Sequence, residues 1–213
     1  GASSASAFAF SGDSDAAVTA AAHLSTEGFV VRVARDSFTV ADTPFPRGSF
    51  LLRSDANPTH TAEGLKALAD THGLEIHALG TTLAGEGPDL GGGRFSALVA
   101  PRVAIVTGDG VSLSSMGSLF YLFDHELELR ASVLPVGEIE DSDLAKYNVI
   151  LLPATWGGPD AYRRHLGDAG VEKLRTWVKA GGTLIGIRRG AEFLADSAAG
   201  FSQVRRRRDA LED

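Results

Sequence analysis

Short apolar runs alternate along the chain with segments whose apolar residues recur every three or four positions, the two periods of strand and helix. Ala7 to Phe10 predicts a strand, and Asp13 or Ser14 can cap a following helix with Ala17, Val18, Ala21 and Leu24 inward and Gly28 as its stop. Phe29 to Val33 is short and β-branched, hence strand. Asp36 to Ala41 and Ser49 to Arg53 flank the turn-rich Pro44-Phe45-Pro46-Arg47-Gly48 and predict a hairpin. Asn57-Pro58 reads as an N-cap and first helical residue. Leu65, Leu68 and Ala69 give that helix its face, Gly73 ends it, and Leu74 to Ala78 is a strand. The order β-α-β-β-α-β is that of a split β-α-β, ferredoxin-like subdomain over residues 1–79.

Residues 80–100 break the rhythm. Gly80, Gly85, Gly87, Pro88 and Gly91-Gly92-Gly93 predict a linker there. From residue 101 to 203 the pattern changes to strands that are apolar throughout. Arg102 to Val106, Ala131 to Val136, Asn148 to Leu152 and Thr183 to Ile187 are such runs. Between them lie an amphipathic helix (Leu113, Met116, Phe120, Phe123, Leu127), a short helix at Asp141 to Lys146, and a helix capped by Asp168. That last helix has Val171, Leu174 and Val178 inward and Gly181-Gly182 at its end, and another helix begins at Ala191 to Leu194. Apolar strands alternating with helices predict a parallel sheet covered on both sides, a doubly wound, flavodoxin-like α/β layer. A charged tail, 204–213, follows.

Composition narrows the function classes. The chain is 44% hydrophobic and 22% charged, enough apolar mass for a core. No apolar run approaches the ~18 residues of a membrane span. Gly1 to Ser6 has neither a positive region nor an apolar stretch, so no signal peptide is expected there. The sole methionine is Met116 and residue 1 is Gly, so the chain reads as a piece of a longer protein with Gly1 as a cloning remnant. The absence of cysteine removes disulfides, thiolate metal sites and a cysteine nucleophile together. A net charge of −7, carried despite the Arg205 to Arg208 run, argues against general nucleic-acid binding.

In an open parallel sheet, function gathers beyond the carboxyl ends of the strands. Three loops qualify. Thr107-Gly108-Asp109-Gly110-Val111-Ser112 is a glycine-bearing turn into a helix, either an anion cradle or a tight turn capped by Ser112 or Ser114. The other two are Pro153-Ala154-Thr155-Trp156-Gly157-Gly158-Pro159 and Gly186-Ile187-Arg188-Arg189-Gly190. Together these two loops resemble a class I glutamine amidotransferase-like domain, in which a Gly-Ile-Cys-x-Gly elbow bears the nucleophile and a Gly-Gly-Pro loop supplies the oxyanion hole. Arg188 stands where that cysteine would be, and no His follows His165. A guanidinium stays protonated and cannot be a nucleophile. Catalytic residues are therefore expected to be none, and Gly157, Gly158, Arg188, Arg189 and Asp109 are the candidate ligand site for a small anion.

A second resemblance spans Pro44 to Ile185. Pro44-Phe45-Pro46-Arg47-Gly48-Ser49-Phe50-Leu51-Leu52 is similar to a segment found behind the catalytic domain of large bacterial zinc carboxypeptidase-like proteins, relatives of carboxypeptidase A. The module that follows in those proteins has the order seen here. Pro101 to Val106 comes first, then Leu119 to Asp124, Tyr147 to Pro153, and Gly170 to Ile185. The resemblance implies that this chain is a non-catalytic accessory region whose parent removes C-terminal residues. It also implies that zinc belongs to the parent's peptidase domain, that this domain is the chain's partner, and that the protein is exported to the periplasm or outside. The other readings are a free-standing amidotransferase-like enzyme and a small-ligand sensor on the same fold.

The histidines give no zinc site within the chain. His60-Thr61-Ala62-Glu63 has the His-x-x-Glu spacing, but it falls in the first turn of a helix, with His165 far downstream. His125-Glu126-Leu127-Glu128 is the polar end of a helix, and His23, His72 and His77 are scattered. Gly110-Val111-Ser112-Leu113-Ser114 lacks the second glycine of a serine elbow, and Trp156 and Trp177 read as core or rim aromatics.

Overall fold

The computed structural model describes residues 5–58, 61–158, 160–204 and 211. The chain divides into two compact units, Gly1–Ala100 and Pro101–Asp213. It is a mixed α/β protein with one antiparallel and one parallel main sheet. No described helix is long and apolar enough to cross a membrane.

The first unit runs β1 (Ala7–Phe10), α1 (Asp15–Thr26), β2 (Val31–Ala34), β3 (Phe38–Val40), β4 (Thr43–Phe45), β5 (Phe50–Arg53), α2 (Thr61–His72), β6 (His77–Leu79) and β7 (Phe95–Ala97). Ser14 caps α1, its hydroxyl accepting from the Ala17 amide at 3.2 Å, and Gly28 leaves the helix at φ 91°. The five-stranded sheet has the order β6-β1-β5-β2-β7 and is antiparallel throughout.

Three expectations for this unit are corrected. The hairpin is β3 with β4, closed by Ala41 and Asp42 at φ 48° and 64°, not the pairing of Asp36–Ala41 with Ser49–Arg53. Two successive positive φ values give the turn whose twist matches its strands. Ser49–Arg53 instead feeds β5, which is buried from Phe50 to Leu52 on both faces and so lies between β1 and β2. Asn57 does not cap α2. Its side chain is taken by other bonds, accepting from the distant Val30 amide at 2.7 Å and donating to the nearby Arg53 carbonyl at 2.8 Å.

The third correction concerns residues 80–100, which are folded rather than a linker. The two faces of the sheet explain why. Phe10, Phe50 and Leu52 point to the helical side and pack with Ala17, Ala21, Leu24 and Leu65. Ala7, Ala9 and Leu51 point the other way, where the core cluster contains no residue of α1 or α2. There the core is completed by Phe38, Val40 and Phe45 of the hairpin and by Leu90 and Phe95 from the glycine-rich segment. Phe38 stacks on Phe45 at 4.9 Å and meets Phe95 edge-on at 5.2 Å.

The second unit runs β8 (Val103–Thr107), α3 (Leu113–Tyr121), β9 (Ala131–Pro135), β10 (Val149–Leu152), α4 (Ala161–Lys179), β11 (Thr183–Gly186) and α5 (Arg189–Leu194). Its four strands are parallel in the order β11-β10-β8-β9. On one face Ala104, Val106, Ile150 and Leu152 pack against Tyr162, Leu166, Val171, Leu174 and Trp177 of α4 and Phe193 of α5. On the other, Val103, Ile105 and Leu151 pack with Met116 and Leu119 of α3, Phe123 just beyond it, and Ala131 and Val149 of the sheet itself. Val133 and Ile185, which pair with Ile105 and Leu151, stay exposed on the outer strands.

The elements of this unit differ from expectation in three places. The amphipathic helix is α-helical only to Tyr121 and then makes a π turn at Leu122–Glu126. Its packing face is Met116, Leu119 and Phe123, while Leu113 (70% exposed) and Phe120 turn to solvent. The segment Asp141–Lys146 reduces to a 3-10 turn at Leu144–Lys146. The helix expected from Asp168 already begins at Ala161 and breaks at Gly167, where φ 64° and ψ 176° interrupt it, so Asp168 opens its second part. His60, Pro159 and Arg205 to Arg208 lie outside the described residues.

Candidate functional site

In this strand order β8 and β10 are neighbours whose onward connections leave to opposite sides, the place where a parallel sheet opens a crevice. The loop after β8 turns through Gly108 and Gly110, at φ 103° and 78°. His165 packs against Gly110 so closely that a Cβ there would strike its ring. This loop is tied to the one after β10 by backbone bonds, from Ser112 N–H to Ala154 O at 2.8 Å and from Trp156 N–H to Gly110 O at 2.8 Å. Ser112 is buried and caps α3, its hydroxyl accepting from the Ser115 amide at 3.3 Å. Ser115 accepts in turn from the Ala154 amide at 3.0 Å. Behind the loop the Tyr162 hydroxyl donates to Pro153 O at 2.9 Å, and burial pushes its phenol well above the ordinary range.

The third loop leaves β11 with Ile187 N–H bonded to Leu152 O at 2.9 Å. A Cβ on Gly186 would run into the Gly190 backbone, and one on Gly190 into the Leu152 carbonyl. Glycine at both positions therefore lets the strand, the turn and α5 touch backbone to backbone. Between them Arg188 is held at φ 53°, ψ −112°, a conformation that disfavours any side chain with a Cβ.

The loops after β10 and β11, with Ser112 at the end of the β8 loop, line one cleft of about 620 Å³. Ser112, Ser114, Ser115, Ser118, Leu119 and Leu122 contribute from α3 and its π turn, Ala154 to Gly157 from the loop after β10, and Ile187 to Arg189 from the elbow. Of the residues expected at a ligand site, Gly157, Arg188 and Arg189 line it. Gly158 does not, but the Arg189 guanidinium lies within 4.0 Å of where its Cβ would stand. Asp109 is exposed and does not line the cleft. Gly157 and Gly158 sit at φ 90° and 98°, and the Gly157 carbonyl accepts from Arg164 at 3.2 Å.

Among the described residues neither Arg188 nor Arg189 has a side-chain hydrogen bond or ion pair, so the closure of Arg188 onto Asp109 or Asp160 is not seen. The serine and leucine wall of α3 was missed in the sequence. The signal is present, because Ser115, Leu119 and Leu122 follow helical spacing, but the sequence offers Ser112 and Ser114 as caps or as an incomplete serine elbow rather than as a wall. Trp156, expected at core or rim, is 68% exposed at the cleft.

Two guanidinium groups beside apolar walls can bind an anion through charge-assisted, bidentate hydrogen bonds. The lining side chains offer no thiol, carboxylate or imidazole. Among the described residues no three His, Asp or Glu side chains gather as metal ligands. The chain matches no family model and no curated protein.

Proposed function

We propose that the chain is a non-catalytic accessory region of an exported zinc metallocarboxypeptidase-like protein. In this reading a ferredoxin-like subdomain precedes a class I glutamine amidotransferase-like domain whose elbow binds a small anion. Its partner is the peptidase domain of the same parent, which alone holds the zinc. The order of motifs from Pro44 to Ile185 supports the family. The observation that carries the site is Arg188 at φ 53°, ψ −112°, between two glycines that only a tight strand–turn–helix requires. That backbone presents a nucleophile in elbow hydrolases, whereas a permanently charged guanidinium can only bind.

Glutaminase and carboxypeptidase assays on the purified chain, with zinc added, should read background. Turnover lost in Arg188→Ala would overturn the non-catalytic reading. Calorimetry with zinc should show no stoichiometric site, and a micromolar site abolished by His60→Ala would place metal chemistry in this chain instead.

A further inference from the structure

Resting on the reading of the elbow as an anion site, we propose that the cleft takes a carboxylate bearing a bulky apolar substituent and no neighbouring ammonium group. Three features of the lining select this class. Charge is supplied by Arg188 and Arg189, with no Asp or Glu side chain among the lining residues to neutralise an ammonium. A free amino acid would therefore desolvate its amino group unpaired. Apolar and aromatic surface comes from Leu119, Leu122, Ile187 and Trp156, beside the hydroxyl-bearing Ser112, Ser114, Ser115, Ser118 and Thr155. At about 620 Å³ the cleft has the size of a small-molecule site, far more room than a bare anion fills.

The serines of the α3 wall spend part of their hydrogen-bonding capacity on the protein itself. Ser112 is bonded to Ser115 N–H and lies 3.1 Å from the Ser114 hydroxyl, Ser115 accepts from Ala154, and Ser118 donates to the Ser114 carbonyl at 2.9 Å. Each of these hydroxyls already holds one partner within the protein, which lowers the hydrogen-bonding capacity the wall offers a ligand. Trp156, most of its ring in water, is the surface that gains most from an apolar substituent.

The test is titration of the whole chain, followed by backbone amide NMR and calorimetry, with 3-phenylpropanoate, acetate, 3-phenylpropanamide and L-phenylalanine. The expected result is 3-phenylpropanoate binding at least about tenfold tighter than each of the other three. Shifts should centre on Gly157, Arg188 and Arg189. Arg188→Met should abolish binding. Trp156→Ala, at an exposed position, should weaken 3-phenylpropanoate by about tenfold more than it weakens acetate. If acetate binds as tightly as 3-phenylpropanoate, the apolar class is wrong while the anion site stands. If L-phenylalanine does, the exclusion of an ammonium is wrong. If the amide binds as well as the acid, or nothing binds at on the order of 10 mM, the anion reading falls too.

Discussion

At the scale of single residues, Arg188 combines an unfavourable backbone with an exposed side chain that has no partner among the described residues. Such a conformation costs on the order of 1–3 kcal/mol for a residue with a Cβ. Arg188→Gly should therefore raise the stability of the second unit by about 1 kcal/mol, after the entropic cost of glycine, while removing anion binding. Urea midpoints of the two proteins, read together with an acetate titration, check both halves. In the first unit the Arg94 guanidinium, hydrogen-bonded to Asp36, holds that carboxyl below its ordinary range, and Arg53 does the same for Asp55. A carboxylate depressed in the folded state stabilises above its unfolded value, and the contribution disappears as pH falls through the folded one. The urea midpoint should thus drop between about pH 5 and about pH 3, less steeply in Asp36→Asn and in high salt, since both pairs are exposed.

At the scale of elements, local signals were legible and pairing was not. Ser14, Gly28 and the apolar runs of β8 and β10 mark their elements because caps, stops and continuous burial are written in neighbouring residues. Gly186 and Gly190 likewise mark the elbow. Which strand Ser49–Arg53 joins depends instead on β1 and β2, far away in sequence, and Asn57 is diverted from capping by Val30 for the same reason. Glycines at 80–93 look like a linker because the local sequence does not show that the core on one face of the first sheet contains no residue of α1 or α2. The site follows the same division: the elbow was legible, but the α3 wall required knowing which helix the cleft opens beside. The segment's part in the core predicts that Leu90→Ala, fully buried, costs roughly 2–5 kcal/mol, whereas a residue in a linker would cost nothing measurable. Chemical denaturation of the two proteins decides between them.

At the scale of the whole molecule, each unit has its own main sheet and its own core clusters. Residues 1–100 and 101–213 expressed separately should each unfold in a single cooperative urea transition, and a fragment ending at residue 79 should fail to do so for want of Leu90 and Phe95. Circular dichroism and fluorescence transitions that do not coincide in either full unit would contradict this. The second unit also carries a practical opportunity at its elbow. Gly186 and Gly190 bear the close backbone contacts, Arg188 between them is exposed, and the chain contains no cysteine. Arg188→Cys would thus install the molecule's single thiol at the mouth of the cleft, a unique address for a fluorophore, spin label or photocrosslinker with which whatever enters the cleft can be captured covalently.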